Sequence, residues 1–123
     1  MQRKIPVSAI VLFLLLVLMS LYVLNCGQNN PLTPDVREDN EVWIQSDGFH
    51  PKILTVAAGT TVKWTNKDNE FHTVDSGVPG NPANLFTSPN IKPGTNWTHK
   101  FSTKGSFDYY CSIHQRTARV VVQ

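Results

Sequence analysis

Apolar and polar positions alternate along most of the chain after residue 40, in short runs separated by Gly, Pro, Asn and Asp. In one such run, Val62 and Trp64 alternate with Thr and Lys side chains. A period of two, carried by β-branched and aromatic residues, is typical of half-buried strands, and this spacing of runs favours an antiparallel sandwich or barrel. Strands are predicted at 41–46, 52–56, 61–66, 71–76, 96–101, 106–111 and 118–123. The fold class is therefore predicted to be all-β.

Between two of these runs lies a long segment, Gly77 to Gly94, that is rich in Gly, Pro and Asn. Such a composition is typical of loops, so the segment is predicted to be a connection with room for one short helical turn. The aromatic side chains within the predicted strands are assigned to the hydrophobic core. These are Trp43, Trp64, Phe101, Phe107 and Tyr109.

The first 25 residues have a different pattern, with Arg3 and Lys4 ahead of an uncharged run from Val7 to Leu24. A basic start followed by an apolar run is typical of an export signal. The run is also nearly long enough to span a bilayer as a helix. Residues 1–25 are therefore predicted to be either a cleaved signal peptide or a retained membrane anchor. Residues 26–40 are polar and predicted to be a flexible tether, and residues 41–123 a single small domain.

Cys26 directly follows this apolar run, in the sequence "VLNCG". The arrangement resembles a bacterial lipobox, in which the exported chain is cut before a cysteine that then carries lipid, although Asn25 stands where such motifs have a smaller residue. Lipidation of Cys26 is the first expectation, an uncleaved anchor the second and plain secretion the third. All three place the folded part outside the cytoplasm, on the periplasmic side of a membrane or at the cell surface.

The charge balance excludes one class of partner. The sequence has 11 Lys and Arg residues against 9 Asp and Glu residues, and Arg3 and Lys4 supply the excess. The predicted domain is close to neutral and has no basic cluster of the kind that binds nucleic acid. No nucleic-acid partner is expected.

Candidate chemistry centres on the second of the two cysteines, Cys111, which precedes His114 by three residues at the end of an aromatic run. An unpaired thiol in an oxidising compartment is reactive unless something occupies it, and a metal ion does so by binding the thiolate. Among the other histidines, His72 follows a turn at the start of a predicted strand and is the best third ligand. His50 is assigned to the surface, and His99 to a partly buried structural position.

Two longer stretches, "VAAGTTVKWTNKDNEFHTVDS" and "PGTNWTHKFSTKGSFDYYCSIH", resemble the signature regions of the cupredoxins, in particular the plastocyanin and amicyanin group. The resemblance implies an eight-stranded Greek-key β-sandwich that holds one type 1 copper ion near one end. It places His72, Cys111 and His114 as the three in-plane ligands. It also implies one-electron transfer between redox partner proteins by a monomer, with no enzymatic activity.

The sequence departs from this family at the axial ligand, which is usually a methionine. Both methionines, Met1 and Met19, precede the predicted domain. Three alternatives are open for the axial position. It could be occupied by a side-chain oxygen of Gln115 or Thr117, or by the backbone carbonyl of Phe71, or it could have no protein ligand. Because the axial ligand tunes the reduction potential, the alternative function of a copper carrier or storage protein stays open.

Overall fold

The computed structural model describes residues 35–123, together with Ser8. The predicted export or anchor segment at residues 1–25, the lipidation of Cys26 and most of the predicted tether lie outside the described residues. Within the described part, no helix is long and apolar enough to cross a membrane. Residues Val36–Gln123 form one compact unit.

The last residues of the predicted tether are attached to this unit. The Arg37 guanidinium donates to the carbonyl oxygen of Glu41 at 2.6 Å, and the Asn40 amide donates to the carbonyl oxygen of Thr61 at 2.7 Å. The Glu38 carboxylate accepts from Lys63 at 2.8 Å. The boundary at residue 41 stays a prediction, but the contacts with the domain begin a few residues before it.

Within residues 35–123 the secondary structure consists of strands. They are β1 (Glu41–Gln45), β2 (Gly48–His50), β3 (Ile53–Val56), β4 (Thr60–Asn66), β5 (Asp75–Val78), β6 (Asn81–Thr87), β7 (Asn96–Phe101), β8 (Gly105–Tyr110) and β9 (Thr117–Val122). They form two sheets, in the orders β2-β1-β4-β7 and β3-β9-β8-β5-β6. The predicted all-β sandwich is confirmed.

Strand direction is mixed, although the prediction was of an antiparallel sandwich. Most neighbours pair antiparallel, but β1 pairs parallel to β4, and β3 pairs parallel to β9. The parallel pairs arise because β3 belongs to the other sheet, so the chain leaves the first sheet after β2 and re-enters it at β4. A parallel pair needs such a crossover. An alternating pattern shows which side chains face the core but not which way a strand runs.

Three local predictions were wrong. The turn predicted after residue 46 contains β2, and the connection predicted at 77–94 contains β6 rather than a helical turn. The strand predicted at 71–76 begins only at Asp75. Before it, His72 pairs with Ile91 through an isolated bridge that is not part of a strand. Strand β6 lies at a sheet edge with nearly all of its side chains exposed, so its sequence has no apolar alternation. Pro82 is tolerated there because an edge strand need not donate every N–H group.

The core lies between the two sheets. Trp64 of β4 is fully buried, and its ring meets that of Tyr109 of β8 edge to face at 5.5 Å between centroids. The ring of Phe49 lies 4.8 Å from that of Tyr109, also edge to face. Since Cys111 follows Tyr109 by two residues, this packing fixes the end of β8 next to the cysteine in the core.

Candidate metal centre

Three side chains from two separate loops meet at one end of the sandwich. The Sγ atom of Cys111 lies 3.7 Å from Nδ1 of His72 and 3.7 Å from Nδ1 of His114. The donor atoms of all three lie within 4.8 Å of one another. One ion with bonds of about 2.3 Å to sulfur and about 2.0–2.1 Å to nitrogen, at bond angles of roughly 110–120°, places the sulfur about 3.6–3.8 Å from each nitrogen. The donor set and its spacing therefore fit a single metal ion.

The two histidines reach this point from different loops. His72 lies between β4 and β5, and the fully buried Asn66 at the end of β4 organises that loop. The Asn66 amide donates to the carbonyl oxygens of Glu70 at 2.7 Å and of Ile91 at 2.9 Å, and its side-chain oxygen accepts the N–H of Asp68 at 2.9 Å. A buried side chain with its hydrogen bonds satisfied holds a loop in one conformation.

His114 lies in the tight loop that connects β8 to β9. The N–H of Cys111 donates to the carbonyl oxygen of Arg116 at 2.9 Å, and the N–H of Gln115 donates to that of Cys111 at 2.8 Å. Gln115 has a φ of 57°, in the left-handed region. The chain reverses direction there, and this reversal brings the His114 ring back over the cysteine.

Both imidazoles are held from outside by carboxylates. Nε2 of His72 lies 2.9 Å from Oδ2 of Asp68, and Nε2 of His114 lies 2.8 Å from Oε2 of Glu70. A carboxylate at Nε2 favours the tautomer with hydrogen on that nitrogen, which leaves the Nδ1 lone pair free for a metal ion. The hydrogen bond from His72, together with the N–H of Asn69, holds the pKa of Asp68 below its ordinary value. Neither Asp68 nor Glu70 was predicted from the sequence as a site residue, although both acidic residues stand within four positions of His72.

The sulfur is closed off from solvent. Cys111 is fully buried, and the backbone N–H of Thr73 donates to Sγ at 3.4 Å. Burial alone would raise the pKa of the Cys111 thiol, but hydrogen bonding, with the backbone N–H of Thr73 first, outweighs it and lowers the pKa to about 7. The thiolate, which is the form that binds a metal, is therefore partly populated at neutral pH.

The axial ligand stays a prediction. The Gln115 side-chain amide donates to the carbonyl oxygen of Ser112 at 2.7 Å, and Thr117 begins β9 on its exposed face. Phe71 is about half exposed beside His72. The other two histidines lie where the sequence predicts them. His50 is at the surface, with Nε2 2.8 Å from the Asp47 carboxylate, and His99 is stacked on the ring of Trp97.

The comparisons with known proteins agree with this architecture. The chain belongs to the cupredoxin-like domain family, whose sequence pattern matches residues 10–122. It is 33% identical over 84 residues to a chloroplastic plastocyanin from Tetradesmus obliquus, covering 61% of this chain and 58% of that protein. This chain thus matches somewhat over half the length of that curated relative. With this family and this His-Cys-His group, the site is consistent with one type 1 copper ion.

Two solved structures give the same result. A purple cupredoxin from Nitrosopumilus maritimus is 34% identical and superposes with a TM-score of 0.63, covering 68% of this chain and 98% of that one. The Cu(I) form of an amicyanin variant, in which a methionine is replaced by alanine, is 25% identical. It superposes with a TM-score of 0.61 over 72% of this chain and 87% of that one. The cupredoxin resemblance inferred from the sequence is confirmed.

Proposed function

We propose that this protein carries single electrons between redox proteins, through one type 1 copper ion held by His72, Cys111 and His114. The observation that carries the proposal is the convergence of one thiolate and two imidazole nitrogens, at 3.7 Å from sulfur to each nitrogen. Thiolate is a soft ligand that suits cuprous copper, and imidazole also suits the cupric ion. No substrate bond is made or broken in this function.

The protein's own contribution is a frame of hydrogen bonds around the donor atoms. The carboxylates of Asp68 and Glu70 orient the two rings, and the N–H of Thr73 orients the sulfur. A bound copper ion supplies the change of oxidation state. Since the donors are held by hydrogen bonds to the surrounding chain, they need to move little when the charge at the centre changes, and electron transfer is then fast.

His114 is the proposed exit for the electron. Its side chain is 28% exposed, whereas that of His72 is 3% exposed and Cys111 is fully buried. Of the three proposed ligands, His114 is therefore the one that a partner protein docking on this end of the sandwich can reach. The partners of this protein are proposed to be other redox proteins, and the protein itself is proposed to act as a monomer.

The decisive test is the visible spectrum of the copper-loaded protein. The wild type is expected to show an intense thiolate-to-copper charge-transfer band, and Cys111→Ser is expected to lose it while keeping the unfolding midpoint of the metal-free fold. The serine variant is the matched control, because it differs by one atom. A folded, copper-loaded wild type without this band would contradict the proposal.

The absence of methionine from residues 41–123 favours one second candidate, a copper carrier. Rapid electron self-exchange with reversible reduction supports the relay. Slow redox cycling combined with ready transfer of cuprous ion to a chelating acceptor supports the carrier. Both measurements use the same copper-loaded sample.

We further propose that the domain works outside the cytoplasm, held at a membrane through its N-terminal segment. The sequence of residues 1–26 supports this proposal, with two basic residues, an uncharged run and a cysteine at its end. The intact mass of the mature protein tests it: a chain that begins at Cys26 with added lipid is expected, and Cys26→Ser is expected to lose the lipid. An unprocessed mass in the membrane fraction would indicate an uncleaved anchor. An unprocessed mass in the cytoplasm would contradict the proposal.

A further inference from the structure

The hydroxyl of Thr73 lies at the centre of a hydrogen-bond network behind the sulfur. Its Oγ1 lies 2.6 Å from Oδ2 of Asp75, 2.8 Å from Oγ of Ser112 and 2.9 Å from the backbone nitrogen of Ser112. It also lies 4.0 Å from Sγ of Cys111. Thr73 itself is buried, whereas Asp75 is partly exposed and Ser112 is exposed.

Counting donors and acceptors decides where the hydroxyl hydrogen points. A carboxylate oxygen can only accept, so the bond to Asp75 uses the single hydrogen of the Thr73 hydroxyl. The two lone pairs of Oγ1 then accept from the N–H and from the hydroxyl of Ser112. No hydrogen of Thr73 Oγ1 remains for the sulfur, and the 4.0 Å approach to Cys111 is a contact rather than a hydrogen bond. The backbone N–H of Thr73 is therefore the donor that this residue gives to Sγ.

The carboxylate of Asp75 is itself fixed. Its other oxygen accepts a hydrogen bond from the hydroxyl of Thr87 in β6. In the sheet, Asp75 of β5 is paired with Thr87 of β6 on one side and with Tyr110 of β8 on the other. One oxygen serves each hydroxyl, so a two-oxygen acceptor fits this position. Tyr110 is the residue before Cys111, which places the network directly alongside the ligand loop.

We propose that Asp75 is a positioning residue for the copper centre, which holds the Thr73 hydroxyl away from the Cys111 sulfur and so limits the hydrogen bonds that the thiolate receives. The inference rests on the proposed copper function. Hydrogen bonds to the cysteine sulfur tune the potential of such sites. Each added donor withdraws electron density from sulfur, which stabilises the cuprous form and raises the energy of the charge-transfer transition.

The test is a double-mutant cycle on copper-loaded protein, with Asp75→Ala, Thr73→Val and the double variant. In Asp75→Ala the freed hydroxyl is expected to turn to Sγ, moving the visible band to shorter wavelength and raising the reduction potential. Thr73→Val has no hydroxyl that could turn toward the sulfur. The double variant is therefore expected to show the visible band at the same wavelength as Thr73→Val alone. The valine background also isolates the effect of losing the Asp75 charge, because that loss occurs in the double variant as well.

An unchanged band in Asp75→Ala, or a band shift of the same size in the valine background, would overturn the inference. Should Asp75→Ala not fold, Asp75→Val serves instead, because a β-branched residue without an acceptor suits a strand position. A metal-free crystal structure of the Asp75 variant gives a second, copper-independent result. There the distance from Thr73 Oγ1 to Cys111 Sγ is expected to shorten from 4.0 Å, and an unaltered hydroxyl orientation would count against the inference. A wild type without any thiolate-to-copper band contradicts the proposed function instead, and the metal-free structure still decides the role of Asp75.

Discussion

Replacing Trp64 with alanine is expected to destabilise the folded domain by about 3–5 kcal/mol, the range for truncating a buried large aromatic residue. Trp64 is fully buried in the central strand β4 and contacts rings from three directions. Its ring centroid lies 5.4 Å from that of Trp97, 5.5 Å from that of Tyr109 and 6.3 Å from that of Phe101. The neighbours belong to both sheets, so they cannot close the cavity without moving one sheet against the other.

The size of this loss matters because the domain is small. At roughly 0.05–0.15 kcal/mol per residue, the free energy of unfolding of the unit Val36–Gln123 is about 4–13 kcal/mol. Denaturant unfolding of the metal-free protein measures the change. Leu85→Ala is the control, because Leu85 is 64% exposed on β6 and its truncation is expected to cost less than about 0.5 kcal/mol. Equal losses in the two variants would contradict the packing described for the core.

The strands that the sequence predicted best are those with one buried and one exposed face. Strand β7 was predicted at 96–101 and lies at Asn96–Phe101. The predictions for β4, β8 and β9 differ from the structure by one residue at one or both boundaries. One face of these strands packs on the opposite sheet, so apolar residues recur at every second position. Of the five aromatic residues assigned to the core from the sequence, Trp64, Phe101 and Tyr109 are buried there, whereas Trp43 and Phe107 are only partly buried.

The strands that the sequence missed show no apolar alternation, for two different reasons. Strand β6 buries little more than Phe86 and depends on its backbone pairing with β5. Strand β2 buries Phe49 in the core, but it is three residues long and so is too short to show a period of two. Neither strand could be inferred from hydrophobic period.

The site divides in the same way. His72, Cys111 and His114 could be proposed from the sequence because their residue types have metal-binding chemistry and their flanking segments resemble a known family. The residues that orient them, Asp68 and Glu70, are ordinary acidic residues of a polar loop, and only the fold shows that both reach a histidine nitrogen. A metal ligand can be suggested by its residue type, whereas a residue that orients a ligand is identified only by its distance from that ligand in the folded protein.

Replacing His72 or His114 with glycine is expected to abolish the intense visible band of the copper-loaded protein, because one of the three proposed donors is lost. The two variants are expected to differ in rescue by free imidazole. His114→Gly opens a gap that faces solvent, since the His114 side chain is 28% exposed. His72→Gly opens a gap that is closed off from solvent, since the His72 side chain is only 3% exposed. Added imidazole therefore reaches the ion readily in the first variant and poorly in the second.

An imidazole titration followed at the visible band measures this difference. Half-restoration in His114→Gly is expected at an imidazole concentration at least about tenfold lower than in His72→Gly, which corresponds to about 1.4 kcal/mol. Cys111→Ser with the same additions is the control, because imidazole cannot replace the sulfur that gives the band its intensity. Equal half-restoring concentrations in the two glycine variants would contradict the difference in burial, and with it the assignment of His114 as the exposed edge through which electrons leave.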